Sequence, residues 1–383
     1  MEKMKLALRG KDSVVSEKVS RLFVAFELSQ ATWRLAISVG GTKVRHYKVS
    51  GGDKAQTLAA LEKAKEQFGL KGRAVRVVSC YEAGRDGFWL HRFLEESGIQ
   101  NVVVDSASIE VKRQARRAKT DRLDAEKLLT MLVRYHGGEA QVWRVLRIPN
   151  EQDEDARRPH RELERLKKEQ TGHTNRIGSL LILHNIREAN IGGRNWQKKL
   201  EQLKERLPAK LAEEVKRESE RLELVREQIR QIEKAQEAQL EESSAANRFS
   251  LLRGIGVGSG ATLQYEFFGW RDFNNRREVG SCAGLTGSPY QSGQSNQEQG
   301  ISKAGNKRIR WLIIELAWSW LRYQPESALS QWFNQRFAKG GARARRIGIV
   351  ALARRLLVEL WRYLKTGVVP EGAMLKPVKA VAA

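Results

Sequence analysis

Cysteine is nearly absent: Cys80 and Cys282 are the only two among 383 residues. No CxxC or HxxxH spacing accompanies them, which argues against a zinc site. Both read as small, reduced apolar residues. No run of 18 or more apolar residues occurs, so nothing reads as a membrane-spanning helix. No signal-peptide pattern opens the chain, and residues 1–20 are polar and basic, like a loose arm. Acidic residues are also too few: 45 Asp and Glu face 69 Lys and Arg, a formal net charge of +24. A surface that basic attracts polyanions, of which nucleic acid is the commonest and an anionic membrane surface the competitor. These features predict a cytoplasmic protein with access to nucleic acid and without a membrane partner.

What is present divides by pattern, and the length suffices for two or three domains. Leu22–Glu27 is a short apolar run. Thr32–Val39 and Lys43–Val49 alternate on either side of the Gly40-Gly41 turn signal, so three strands in a meander are expected. Gln56–Phe68 has helical periodicity, Val75–Tyr81 reads as a strand and Phe88–Glu96 as a helix. Asn101–Asp105 reads as a buried strand, and a longer helix is expected from about Thr120 to Tyr135. The order β-β-β-α-β-α-β-α fits a mixed sheet with helices on both faces, as in an RNase H-like fold. An acidic run from Glu151 to Asp155, flanked by Pro149 and Pro159, suggests a linker. Two apolar seams follow, Leu163 to His184 and Leu211 to Ile232, with glycines and Pro208 between them. They imply an antiparallel helical hairpin or an intermolecular coiled coil. From Arg248 the chain turns globular and mostly helical. Strong helices are expected at Arg308–Tyr323 and Arg346–Leu364, with a basic loop, Lys339–Arg346, before the second. The expected fold class is α/β plus α. Residues 1–20 form an arm, 21–150 the sheet domain, 151–247 the coiled-coil insert, 248–370 the helical C-terminal domain and 371–383 a tail.

Three groups could carry chemistry. Glu27 and Glu82 end predicted strands one and four, which are neighbours in an RNase H-like sheet. Asp121 and Asp124 sit three apart on one helix face. Four like charges cannot be gathered cheaply without a cation, and hard oxygen ligands suit Mg²⁺ or Mn²⁺. The plainer alternative is helix capping for the aspartates and an ordinary surface position for Glu27. Ser292 lies in a glycine- and serine-rich loop close in sequence to Lys303, Lys307, Arg308 and Arg310. A serine there could attack a phosphodiester while the cations hold the phosphate, although loop serines are common and no histidine is near. Gly254, Gly256 and Gly258 fit either a phosphate-holding turn between helices or a plain tight turn.

These residues resemble the DEDD transposases of the insertion-sequence "one-ten" family, which includes the Piv DNA invertase. The resemblance spans roughly residues 21–370. It rests on the YEA segment around Glu82, the KTDRLDA block from Lys119 to Ala125, the segment Ala283–Gly293 containing Ser292, and the block Gly300–Arg310. Two departures stand out: Glu27 where the family usually has aspartate, and Gly287 near a common proline.

The resemblance implies a RuvC-like first domain in which Glu27, Glu82, Asp121 and Asp124 hold Mg²⁺ (or Mn²⁺). It implies a serine nucleophile, Ser292, that forms a covalent phosphoserine with DNA. It also implies a structured guide RNA encoded by the element and pairing with donor and target double-stranded DNA. A homo-oligomer, a dimer or a tetramer on DNA, would join metal and serine halves from different protomers. Lys119, Lys303, Asn306, Lys307, Arg308, Arg310, Arg343, Arg345 and Arg346 are the expected nucleic-acid contacts. Two other readings stay open from the residues alone: a metal-dependent nuclease or junction resolvase using water, and a non-enzymatic basic protein that bridges DNA.

Overall fold

The computed structural model describes residues 20–109, 120–187, 190–191, 193, 195–242, 244–292 and 295–377. The chain divides into two compact units, Met1–Ile148 and Pro149–Ala383.

The first unit is built on a five-stranded sheet: β1 (Ser20–Glu27), β2 (Thr32–Ser38), β3 (Arg45–Ser50), β4 (Val75–Glu82) and β5 (Gln100–Val104), in the order β3-β2-β1-β4-β5. The β1–β2 and β2–β3 pairs are antiparallel, whereas β1–β4 and β4–β5 are parallel. This is the mixed RNase H-like order. Central β1 is buried on both faces from Leu22 to Phe26, which is why its sequence is a continuous apolar run rather than an alternation. Leu22, Val24, Phe26, Val77, Tyr81 and Val103 pack on one face with helices α1 (Lys54–Gln67) and α2 (Trp89–Glu96). Phe23, Ala25, Val78, Cys80 and Val104 pack on the other with α3 (Asp121–His136). Burial pushes the Cys80 thiol well up, so it is an inert core residue.

In the second unit, the acidic run expected as a linker forms a short helix, α4 (Glu151–Asp155), capped by Asn150. Then α5 (Arg158–Ile182) and α7 (Ala209–Glu242) make an antiparallel hairpin within the chain. Leu163 and Leu166 meet Val225 and Ile229 at one end. Ile177 and Leu181 meet Val215 and Leu222 at the other, where α6 (Trp196–Lys204) inserts the buried Trp196. The Trp196 indole N–H donates to Ser219 Oγ at 2.9 Å. Cross-hairpin pairs His173–Glu218 (2.7 Å), Arg176–Glu214 (2.7 Å) and Lys167–Glu233 (2.8 Å) follow the antiparallel register.

A helical body completes the unit: α8 (Ser244–Leu251), α9 (Val257–Leu263), α10 (Arg276–Cys282), α11 (Lys307–Tyr323), α12 (Ala328–Phe337) and α13 (Ala342–Thr366). The sequence did not signal α12. The basic segment expected as a loop is largely helix, since α13 starts at Ala342 and carries Arg343, Arg345 and Arg346. The glycine-rich 254–258 stretch turns tightly after α8 and enters α9 at Val257, and the Gly254 carbonyl accepts from Ser319 Oγ at 2.7 Å.

Hairpin and body are joined through a buried carboxylate. Glu266, 2% exposed on a π-helical turn (Gln264–Phe268), accepts from His160 Nε2 at 2.9 Å and from Arg161 Nη2 at 3.0 Å. Burial alone would raise this carboxyl. The bonds from His160 and Arg161, with the Arg161 charge, outweigh burial and hold it at about 2.

Candidate functional site

The first unit gathers carboxylates at one end of its sheet. Glu27 and Glu82 each lie one residue beyond the Phe26–Tyr81 pair, so they end adjacent parallel strands. Alternation places both on the Ala25 and Cys80 face, the face covered by α3. They share a cavity of about 240 Å³ with Gly84, Arg85 and Asp86. Asp86 was not among the residues expected here; its only sequence signal is its nearness to the YEA segment.

The direction of α3 brings the aspartates to the same end. His136, its last residue, sits edge-on to Phe23 near the start of β1, with ring centroids 5.9 Å apart. The Leu128 carbonyl lies 3.8 Å from Cys80 Sγ. The helix therefore runs antiparallel to β1 and β4. Asp124 lies one turn before Leu128 and Glu82 two residues beyond Cys80, each about 6 Å along from that contact. Asp121 and Asp124 follow the N-cap Thr120, whose Oγ1 accepts from Leu123 N–H. They share the Ala125 and Leu128 side of the helix, and that side packs on the sheet. Among the described residues, no three or more His, Cys, Asp or Glu side chains surround a single metal position. Lys119 lies outside the described residues.

In the second unit the sequence blocks 282–286 and 300–306 interlock through their backbones. Asn306 N–H donates to the Cys282 carbonyl (2.8 Å), Lys303 N–H to Gly284 (3.1 Å) and Ser302 N–H to Thr286 (2.8 Å). Lys303 itself takes a left-handed φ of 56°. A Cβ on Gly305 would meet the Cys282 carbonyl oxygen and, at 2.7 Å, the Gly284 nitrogen. Gly305 also has a φ of 145°, so only glycine fits there. From this clasp rises an antiparallel ribbon, β6 (Gly287–Ser292) and β7 (Ser295–Ile301), in which Ser292 pairs with Ser295 at the far end. The segment expected as a flexible loop is thus a β-hairpin on a rigid base.

The ribbon's base borders a cleft of about 1200 Å³. Arg276 and Arg277 reach it from α10, Lys303 from the clasp, and Arg343, Arg346, Arg354, Arg355 and Arg362 from α13. Among the described residues Glu359 is the one acidic side chain in its lining, and it pairs with Arg362 at 2.7 Å. Of these cations only Lys303, Arg343 and Arg346 were expected. For Arg354, Arg355 and Arg362 the signal was the recurrence of arginines along the α13 sequence; Arg276 and Arg277, on α10, had none.

The other expected contacts serve different partners. Arg308 pairs with Glu164 at 2.6 Å and ties α11 to α5. Asn306 caps α11, accepting from the N–H groups of Arg308 and Ile309. Arg310 donates to the Ala283 carbonyl at 3.2 Å and braces the clasp. Lys307 and Arg345 are exposed and lie outside the cleft lining. No helix among the described residues is long and apolar enough to cross a membrane.

An RNase H-like sheet with acidic strand ends, followed by a helical body with a basic cleft, defines a class of enzymes that act on DNA. The comparisons narrow the class. The profile of the transposase IS116/IS110/IS902 family matches residues 246–333, which include both clasp blocks and the ribbon. Two relatives come from Sinorhizobium fredii (strain NBRC 101917 / NGR234). "Putative transposase y4rJ" is 40% identical over 93% of this chain and 94% of its own length. "Putative transposase y4qE" is 25% identical over 79% of this chain and 72% of its own. A transposase for insertion sequence element IS1328 from Yersinia enterocolitica is 27% identical over 37% of this chain and 42% of its own length. The chain belongs to the IS116/IS110/IS902 family of transposases. It is an enzyme that acts on DNA, which removes the reading as a passive bridging protein.

Proposed function

We propose that this transposase cuts and rejoins DNA by transesterification at Ser292. The Ser292 hydroxyl oxygen attacks the scissile phosphorus, and a new O–P bond forms as the bond to the leaving deoxyribose oxygen breaks. The serine's proton leaves with the reaction and the leaving oxygen ends as a hydroxyl. Attack by a different deoxyribose hydroxyl on the phosphoserine reverses the step and joins a new strand. The phosphodiester energy is conserved in the covalent link, so rejoining requires no ATP.

The observation that carries this reading is the placement of Ser292. It ends a ribbon whose base, clasped backbone to backbone, borders the cleft of arginines. At about 3.3 Å per residue that base lies about 17 Å along β6 from Ser292, so the cations there suit the backbone phosphates of DNA flanking the one that Ser292 attacks.

Glu27, Glu82, Asp121 and Asp124 would hold Mg²⁺ or Mn²⁺. Two of them share a cavity, and all four belong to one end and one face of the sheet; their oxygens are the hard donors such ions take. When bound, the ion would polarise the scissile phosphate and neutralise charge on it. The residue ranges 21–150 and 248–370 would then be the metal-holding and serine-bearing domains, with 151–247 joining copies of the chain. The metal half of one copy serves the serine half of another. A structured RNA encoded by the element guides the enzyme to donor and target DNA, and the net charge of +24 suits so much polyanion.

Ser292→Ala tests the mechanism. It should abolish both the covalent protein–DNA adduct, read by denaturing gel, and strand exchange. Recombination at the normal rate by this variant, with the matching RNA present, would sink the serine mechanism in favour of water as nucleophile. Ser295 and Ser302, close in sequence, are changed separately as controls.

A further inference from the structure

The C-terminal cleft has a wall that phosphate binding alone does not explain. Between its arginines lie Trp332, Ile347, Val350 and Val358, and Ile347 is 57% exposed. The Arg355 guanidinium stacks 4.3 Å over the Trp332 ring, leaving a flat cationic and aromatic surface. Arg343, Arg346, Arg354 and Arg362 follow one another along α13. From first to last they span about 28 Å at the helical rise, the length of roughly eight stacked nucleotides at 3.4 Å each.

We infer that this cleft holds an unpaired stretch of the DNA strand that Ser292 cuts, several nucleotides from the cleaved bond. A duplex presents phosphates outward and keeps its base faces stacked inside, so apolar surface between the cations gains nothing from it. An unpaired strand offers phosphates to the arginines and base faces to the apolar and aromatic wall. The position supports DNA as the strand. Gly287 and Ser288, at the base of the ribbon that ends in Ser292, line the same cleft. Joining a strand to a new partner also requires the nucleotides flanking the break to leave their old complement, and this cleft would receive those a ribbon's length from it.

The inference rests on the reading as a DNA-cutting enzyme, yet its test is independent of the serine mechanism. The probe is fluorescein-labelled dT12, compared with rU12 and a 12-base-pair duplex, by anisotropy with the full chain. The double variant R343Q/R346Q removes two exposed cations that form no ion pair with a carboxylate among the described residues, so folding, read by circular dichroism, should be unchanged. Affinity for dT12 should fall at least about tenfold, and the slope of log K against log salt should flatten by about 1.4, or 0.7 per lost contact. Duplex affinity should change less than about twofold. Equal losses for duplex and dT12, or a loss for rU12 with dT12 untouched, would overturn the inference, as would no loss at all. Ser292→Ala should bind dT12 as the unaltered chain does, so failure of the serine mechanism would not be mistaken for failure of the cleft.

Discussion

The acidic end of the N-terminal sheet and the basic cleft of the C-terminal unit are assembled by opposite means. Glu27 and Glu82 are neighbours because two parallel strands keep one register, and a one-residue slip of either strand would turn its carboxylate to the other face. The cleft collects cations from α10, the clasp and five positions of α13, so no single pairing sets it. A register-built site concentrates its function in few atoms. A cleft of many arginines spreads it, and each cation carries a small share.

That contrast predicts where single changes act hardest. Asp121→Ala should stop strand cleavage, by on the order of a thousandfold or more, while nucleic-acid binding in a mobility-shift assay stays largely intact. If catalytic halves come from different copies, mixing Asp121→Ala with Ser292→Ala should restore recombination that neither variant shows alone. A mixture as dead as its parts would end the idea of shared sites.

Glu266→Ala probes a buried charge that belongs to neither site. Its carboxyl is depressed from 4.5 to about 2 in the fold, so the stability it supplies is fully present above pH 4.5 and fades as pH falls towards 2. The variant should lose about 3 kcal/mol in urea unfolding at pH 7. The gap from the unaltered chain should close near pH 2, and a gap that persists there would show that lost packing, not charge, is responsible.

The smallest effect concerns Glu27→Asp. One methylene moves the carboxylate by roughly 1 Å, and misplacement on that scale alters rate. A rise of about tenfold in strand exchange is expected, with DNA binding unchanged. Rates within about twofold would mean that the sheet already presents glutamate as well as aspartate.

The sheet was legible because its signals are local. The run at Leu22–Phe26 follows directly from burial on both faces, the alternating Trp33, Leu35 and Ile37 share one face of β2 while small Ala36 is buried on the other, and the Asp121–Asp124 spacing is a property of one helix. The clasp blocks were visible only as a resemblance. Their reason, Gly305 packed on the backbone at Cys282 and Gly284, is a contact between distant segments that no local pattern reveals. The ribbon was read as a loop because glycine and serine suit both, and pairing across Ser292–Ser295 is not written in composition. Arg354 and Arg355 were missed for a similar reason: on a helix with apolar neighbours they look like an ordinary solvated face until α10 and the ribbon close in front of them.

The direction of α3 also has an electrostatic consequence. An α-helix carries the equivalent of about half a positive charge at its N-terminus, from peptide dipoles that all point one way. Because α3 runs antiparallel to β1, that pole lies at the end of the sheet where Glu27 and Glu82 emerge, and Asp121 and Asp124 sit in the first turn above it. Each carboxylate in such a first turn gains about 0.3–1 kcal/mol. The peptide backbone itself thus makes the end of the sheet where Glu27 and Glu82 emerge more favourable to negative charge, a contribution built in with the chain direction of α3.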